Sequence, residues 1–356
     1  QITAEPESIA VAAGATAQFR VIATGDALTY VWRKDGVVLP GATRATLSLS
    51  AVTVAALGSY QAAVTSAGVT VASKVARLSV TDVIQGARSM LANLSVRAYA
   101  VDGAEQLIAG MSVQGVSMPH RILVRGVGPS LGSFIGAGFA RDPSLAVRDA
   151  SGGVVGANDD WEQYPALSTL KALIPSVGAF PLQTGSKDAA LIAHLDNGTY
   201  TALVRDLSGG TALIECYNSD VDRPGGFSNL SVRAGMRGEA LIVGMVVSGS
   251  GAMKLLVRAV GPTLKRFGIT NEFSNPTLRL MSSGGAEVAY NDDWSTSVQQ
   301  EELRAAAVAI GAFPLDDNSR DAALIATVPA GPYSLVVDSS AFGGTALVEV
   351  YRLNKD

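Results

Sequence analysis

Apolar and polar positions alternate in short runs along most of the chain, a period of two that predicts strands rather than helices. Ala17-Gln18-Phe19-Arg20-Val21-Ile22-Ala23 alternates and ends at a Gly25-Asp26 turn. Tyr30-Val31-Trp32-Arg33-Lys34 follows and stops at Asp35-Gly36, a dipeptide suited to a tight hairpin turn. Thr46-Leu47-Ser48-Leu49, Tyr60-Gln61-Ala62-Ala63-Val64 and Ala76-Arg77-Leu78-Ser79-Val80 complete a first group of strands over residues 1–81.

The rest of the chain is an internal duplication. Asn93-Leu94-Ser95-Val96-Arg97 recurs as Asn229-Leu230-Ser231-Val232-Arg233. Leu123-Val124-Arg125-Gly126-Val127-Gly128-Pro129 recurs as Leu256-Val257-Arg258-Ala259-Val260-Gly261-Pro262. Asn158-Asp159-Asp160-Trp161 recurs as Asn291-Asp292-Asp293-Trp294, an offset of 291 − 158 = 133. Gly210-Thr211-Ala212-Leu213-Ile214-Glu215 recurs as Gly344-Thr345-Ala346-Leu347-Val348-Glu349. The repeats occupy 82–220 and 226–356, and Pro224-Gly225-Gly226 reads as the break between them. The joining segment Thr81–Leu91 lacks Pro-rich or Gly/Ser-rich character and reads as stiff.

One stretch per repeat has helical spacing. Leu303, Ala306, Ala307 and Ile310 share a face, and Ser297-Val298-Gln299-Gln300 before them resembles a capping box. Leu167, Leu170, Leu173 and Ile174 do the same after Pro165. One short helix per repeat is therefore expected after each Asn-Asp-Asp-Trp turn.

The pattern Gly14…Phe19-x-Val21…Trp32-x-Lys34-x-Gly36…Leu47-x-Leu49…Gly58-x-Tyr60 resembles the immunoglobulin-like domains of secreted bacterial proteins. The resemblance implies that Trp32 is the core tryptophan and Tyr60 the corner tyrosine. It puts the family's disulfide positions near Val21 and Ala62, so apolar packing replaces the bridge. The repeats are similar to tandem modules near the C-termini of large secreted bacterial proteins. They more distantly resemble the bacterial pre-peptidase C-terminal domain, through the Asn-Asp-Asp turn and the strand starts Gly198-Thr199-Tyr200 and Gly331-Pro332-Tyr333. That second resemblance implies accessory or adhesive use and occasional calcium binding. The expected architecture is all-β: an N-terminal Ig-like β-sandwich, then two homologous, jelly-roll-like β-sandwich modules with one short helix each.

Composition narrows the function. Lys plus Arg is 27 against 31 Asp plus Glu, a net charge of −4, which argues against nucleic acid as the main partner. The longest apolar run, Ala305 to Phe313, is too short to span a bilayer. The single Cys216 cannot form an internal disulfide and aligns with Val350, as a small core residue would. The chain opens on Gln1 rather than Met and has only 16% charged residues and 38 Gly, which reads as a processed, secreted or cell-surface protein.

Candidate chemistry is sparse. The paired carboxylates Asp159 and Asp160, and Asp292 and Asp293, offer clustered hard oxygens for calcium, with Asp188 and Asp321 as recurring additional ligands. The competing reading is that Asn and Asp side chains cap the turns and helix starts. Arg125 and Arg258, with Glu215 and Glu349, sit inside apolar strands and are expected either to pair within each repeat or to face solvent. Gly128-Pro129-Ser130-Leu131-Gly132 matches a nucleophile-elbow pattern, but repeat two reads Gly261-Pro262-Thr263-Leu264-Lys265. Neither His120 nor His194 recurs, so a shared catalytic site is not expected. Asn93, Asn197 and Asn229 match the glycosylation acceptor pattern and read as ordinary turn or strand residues.

The expected function is non-catalytic. The leading reading is a structural protein that self-assembles into a filament or surface lattice, its partners being copies of itself, with Ile2-Thr3-Ala4-Glu5 a candidate pairing strand. The alternatives are a module adhering to surface glycans or proteins, in which Trp161 and Trp294 are the recurring aromatics, and an accessory part of a larger secreted enzyme.

Overall fold

The computed structural model describes residues 1–11, 15–50, 52, 56, 58–80, 89–101, 106–236, 240–339 and 343–353. Most of the joining segment and Gly14 of the Ig-like pattern lie outside the described residues. The chain forms two compact units, Gln1–Gly86 and Ala87–Asp356.

The first unit is an Ig-like sandwich. Its strands are β1 (Ile2–Ala4), β2 (Ile9–Val11), β3 (Ala17–Arg20), β4 (Ile22–Ala23), β5 (Thr29–Lys34), β6 (Val37–Val38), β7 (Thr46–Leu49), β8 (Gly58–Ser66), β9 (Val69–Ala72) and β10 (Ala76–Val80). One sheet runs β2-β10-β8-β5-β6 with β9 also on β8, and β3 pairs β7. Alternation along β3 buries Ala17 and Phe19 and exposes Gln18 and Arg20, as the period of two requires. Phe19 stacks on Tyr60 at 4.8 Å and lies 6.2 Å from Trp32. The Trp32 indole donates to Arg44 O at 2.9 Å, and the Tyr60 hydroxyl donates to Ala56 O, the corner expected of it. Val21 and Ala62 are fully buried core residues. Asp35 and Gly36 both take positive φ, 49° and 83°, which the two-residue hairpin between β5 and β6 needs. The strand at Ile2, β1, pairs β4 within the unit.

The second unit holds both repeats. The first supplies β11 (Met90–Ala100), β12 (Leu107–Gln114), β13 (His120–Val127), β14 (Ser144–Asp149), β15 (Val154–Asn158), β16 (Ala189–Leu195), β17 (Gly198–Arg205) and β18 (Gly210–Asn218). The second supplies β19 (Gly226–Met236), β20 (Ala240–Ser248), β21 (Met253–Val260), β22 (Pro276–Ser282), β23 (Glu287–Asn291), β24 (Ala322–Val328), β25 (Gly331–Ser339) and β26 (Gly344–Arg352). Helices α1 (Gly132–Ile135), α2 (Leu167–Ser176) and α3 (Gln300–Ile310) complete it. The two expected helices are α2 and α3. Their faces Leu170, Leu173, Ile174 and Leu303 cover satellite cores around Trp161 and Trp294. The expected capping box does not form, because Ser297 Oγ accepts from Gln299 N and the helix starts at Gln300 without a side-chain cap.

The repeats share their sheets. Within each repeat the first two strands hardly touch; each pairs instead with the other repeat. β11 runs antiparallel to β20 of the second repeat, with Val96 opposite Val243, and β12 runs antiparallel to β19, with Met111 opposite Leu230. Two continuous ribbons result, β15-β14-β17-β12-β19-β26-β21-β24 and β23-β22-β25-β20-β11-β18-β13-β16. They face one another over one hydrophobic core that draws Leu94, Met111 and Ile214 from the first repeat and Val243, Leu255 and Val348 from the second. The sequence boundary at 220–226 is therefore not a boundary between compact units. A strand pair that leaves N–H and C=O groups unpaired must find a neighbour or water. Here each repeat completes the other.

The connection between the repeats is held in place. Asp220 accepts from Arg121 N at 3.0 Å, Arg121 Nε at 3.1 Å and Arg223 Nη1 at 2.8 Å. Burial pushes its carboxyl up, but these donors outweigh it and hold it below the usual carboxylate range. His120, fully buried, lies 3.2 Å from Asn218 Oδ1 and donates from Nε2 to Pro224 O at 3.1 Å. Gly225 takes φ +83°, and a Cβ there would sit 2.4 Å from the Gly115 carbonyl carbon. We expect Gly225→Ala to cost more than about 2 kcal/mol in urea unfolding, from the left-handed backbone and the clash together. Gly268→Ala, at φ +78° with nothing within 4 Å of its Cβ, is expected to cost only about 1 kcal/mol.

Candidate functional site

The six aspartates expected as calcium ligands do not converge. Asp188 is fully buried and its carboxylate is saturated by its own repeat. Oδ1 accepts from Gly128 N at 2.7 Å and Ser130 N at 3.2 Å, and Oδ2 accepts from the Ser130 and Ser186 hydroxyls. Asp321 does the same with Gly261 N at 2.7 Å, Thr263 N at 3.4 Å and the Thr263 and Ser319 hydroxyls. A cation placed there would meet protons rather than lone pairs. Asp160 Oδ2 accepts from Gln163 at 2.6 Å and Lys187 at 2.7 Å. Asp159 is exposed, and its carboxyl is pushed up by partial burial, then by Asp142 and Asp160. Asp292 accepts from Asn275 Nδ2 at 3.4 Å. Asp160 and Asp293 each keep one buried oxygen without a partner. Among the described residues no group of three or more His, Cys, Asp and Glu side chains is arranged for a metal ion. This donor set does not fit the six to eight oxygens that calcium takes.

The Asn-Asp-Asp-Trp turns instead tie each outer end of the sandwich shut. Asn158 Oδ1 accepts from Ala190 N at 2.9 Å, and Trp161 N donates to Asp188 O at 2.8 Å, which joins the end of β15 to the start of β16. Asn291 with Ala323, at 2.8 Å, and Trp294 with Asp321, at 2.8 Å, repeat this in the second copy. Trp161 and Trp294 are buried and donate to Ser186 and Ser319, at 3.2 and 3.0 Å. Neither offers a ring face to a sugar. Among the described residues the exposed large aromatics are Phe134, Phe267 and Tyr290. Phe134 and Phe267 are equivalent in the repeats, 267 − 134 = 133, a signal readable in the sequence that the turn motifs overshadow.

The recurring charges do pair. Arg125 on β13 stands opposite Glu215 on β18 in the strand register, and Arg258 on β21 stands opposite Glu349 on β26. Arg125 Nε donates to Glu215 Oε2 at 2.7 Å, as does Nη2, while Nη1 donates to Phe180 O at 2.6 Å. The guanidinium lies 4.5 Å from the Phe180 ring centroid. In the second copy Arg258 Nε reaches Glu349 Oε2 at 2.8 Å, Nη1 reaches Phe313 O at 2.6 Å, and the ring lies at 4.3 Å. The remaining carboxylate oxygens accept from Tyr217 and Tyr351, each at 2.7 Å. Burial, then the neighbouring carboxylate, pushes both phenols well above the ordinary range. Every group in the network has a partner, the condition under which a buried charge is tolerated.

The remaining candidates are structural. Ser130 is buried, donates to Asp188 and accepts from Gln183 N at 2.8 Å, so its hydroxyl is engaged at both ends without a histidine. His194 lies exposed on β16. Burial, then Glu215, pushes the Cys216 thiol up to about 12, which keeps it a protonated core residue. Asn93 is buried, and Asn197 is bonded through both side-chain groups to Val116.

No family model matches the sequence, and no curated protein matches it. Solved structures similar to the chain include tandem immunoglobulin domains. They include the tandem Ig repeats of Dlar, at 19% identity over 23% of this chain and 47% of that one, with a TM-score of 0.21. Sidekick-1 immunoglobulin domains 1-4 match at 10% identity over 98% and 72%, with a TM-score of 0.24. Three N-terminal domains of the bacteriophage RB49 Highly Immunogenic Outer Capsid protein match at 11% identity over 100% and 94%, with a TM-score of 0.21. The chain thus spans about half, 47%, of the Dlar structure. At these scores the likenesses carry no argument about arrangement or use, and the all-β sandwich fold rests on the strands of this chain.

Removing one member of a buried ion pair strands the other. Arg258→Met and Glu349→Gln are each expected to lower unfolding free energy by about 3–5 kcal/mol, and Arg258→Met with Glu349→Leu by clearly less than the sum. Urea titrations of the three variants check this.

Proposed function

We propose that this chain is a non-catalytic extracellular or cell-surface structural module that assembles with copies of itself through strand edges of its Ig-like unit. The observation that carries this reading is the exposure of valines on both edges of one sheet. On one edge β9 is exposed at all four residues, with Val69 66% and Val71 46% exposed. On the opposite edge lies β6, with Val37 72% and Val38 43% exposed. Exposed, uncharged strand edges are templates for pairing with another chain. Two different edges that pair head to tail make heterologous contacts, which extend into filaments wherever the rotation between copies does not close a ring.

The repeat unit contributes differently. Its inner edges are paired across the repeats and its outer ends are tied by the Asn-Asp-Asp-Trp turns. That leaves it as a stiff block carried by the assembling unit. The recurring Arg–Glu pairs and the Asp188 and Asp321 carboxylates are engaged in ion pairs and hydrogen bonds rather than arranged around a substrate. No described helix is long and apolar enough to cross a membrane.

Sedimentation velocity and negative-stain electron microscopy across a concentration series test this reading. The wild type is expected to form large regular species as concentration rises, and Val69→Lys with Val71→Lys to remain monomeric with unchanged circular dichroism. A wild type that stays monomeric throughout, or a double variant that assembles equally well, contradicts it.

A further inference from the structure

The strand that carries Asn229-Leu230-Ser231-Val232-Arg233 does more than join the repeats. Leu230 and Val232 point into the core, so Ser231 and Arg233 stand on the other face of the sheet. There they floor a groove of about 320 Å³, with β12 and Thr201 of β17 beside them and Phe267 and Phe313 along one wall. That volume lies at the small end of ligand sites. Within the groove, Arg233 Nε is buried without a hydrogen-bond acceptor. A buried cationic donor left unmatched is costly, and an anionic acceptor would relieve that cost.

The rest of the groove is shaped around that donor. Gly110 on β12 sits where a Cβ would come within 2.4 Å of Ser231 Oγ, so glycine leaves the seam floor open. Phe313 is fixed from behind by Arg258, through its carbonyl at 2.6 Å and its ring at 4.3 Å. Phe267 meets Phe313 edge-on at 5.0 Å yet remains 58% exposed. The result is a rigid aromatic wall beside one guanidinium and two hydroxyls, those of Ser231 and Thr201.

We propose that this groove binds an arylalkyl or acyl carboxylate, with the carboxylate on Arg233, Ser231 and Thr201 and the apolar body against Phe267 and Phe313. A planar guanidinium matches a carboxylate in geometry as well as charge. The flat aromatic edge contact and the absence of a second cation among the lining residues favour a monoanion with an apolar tail over a polyanion. The pseudo-equivalent position in the other seam has Ser95, Gly244, Phe134 and Phe180, but Arg97 is exposed there, so the Arg233 groove is the assigned site.

Calorimetric titration of the full chain with 4-phenylbutyrate and with 4-phenylbutanol tests the assignment. Saturable binding of the acid is expected, at least about tenfold tighter than the alcohol, because a charge-assisted hydrogen bond is at stake. Arg233→Met and Phe267→Ser should each weaken it at least about tenfold, and Arg97→Met should leave it within about twofold. Phe267 is an exposed side chain, so its variant keeps the test open even if Arg233→Met does not fold. No saturable binding by wild type up to about 10 mM, equal binding of acid and alcohol, or unchanged binding by Phe267→Ser overturns the proposal.

Discussion

A guanidinium sealed from water must be neutralised where it stands, and this constraint organises both repeats. Arg125 and Arg258 are among the largest fully buried side chains of the protein. Each meets its glutamate directly across a strand pair, so the ion pair holds β13 to β18 and β21 to β26 in one register. A slip by one residue would turn the arginine away from its partner and every core side chain to the wrong face. The third arm of each guanidinium holds the carbonyl of Phe180 or Phe313 and so anchors the chain leaving α2 or α3. Such a pair adds little net stability over an apolar pair of the same shape, but it penalises alternatives heavily. Its contribution is to specify one arrangement.

With the inner sheets fixed in that way, the seam between repeats follows. Each repeat presents the edges of β11 and β12, or of β19 and β20, on one side, and the Asn-Asp-Asp-Trp turn closes the other. Joining the open sides pairs both edges at once and makes one core from two. Small residues allow the close approach, with Gly110 beside Ser231 and Gly244 beside Ser95. The same seam creates the outer groove, because outward side chains of two repeats meet over a floor that lacks a Cβ at Gly110. Structure and candidate ligand site thus share one origin.

The legible parts of the sequence were local or recurrent. The Asp35-Gly36 turn, the Trp32 and Tyr60 positions and the helical face at Leu303 declare themselves within a few residues. The Arg–Glu pairs were visible as one of two readings because a charge inside an apolar strand has few options. What a strand pairs with is another matter. The alternation in β11 would suit any antiparallel neighbour, and nothing in Asn93–Arg97 says that the partner is β20 rather than β12. The repeat boundary therefore looked like a domain boundary. The carboxylates stayed open between two readings for a related reason. Composition counts oxygens, but Oδ1 of Asp188 and Oδ1 of Asn158 each accept from backbone N–H groups, a fate decided by where the Gly128 turn and β16 meet.

The central claim is that the two repeats form one cooperative body through their shared sheets. Cys216 reports on it directly, since it is a fully buried thiol in the first repeat. The measurement is its rate of thiol labelling under native conditions, compared between wild type and Glu349→Gln, a lesion confined to the second repeat. Shared sheets predict that Cys216 becomes reactive in parallel with the loss of global stability. Unchanged protection of Cys216, with a separate early transition for the second repeat, would contradict the account.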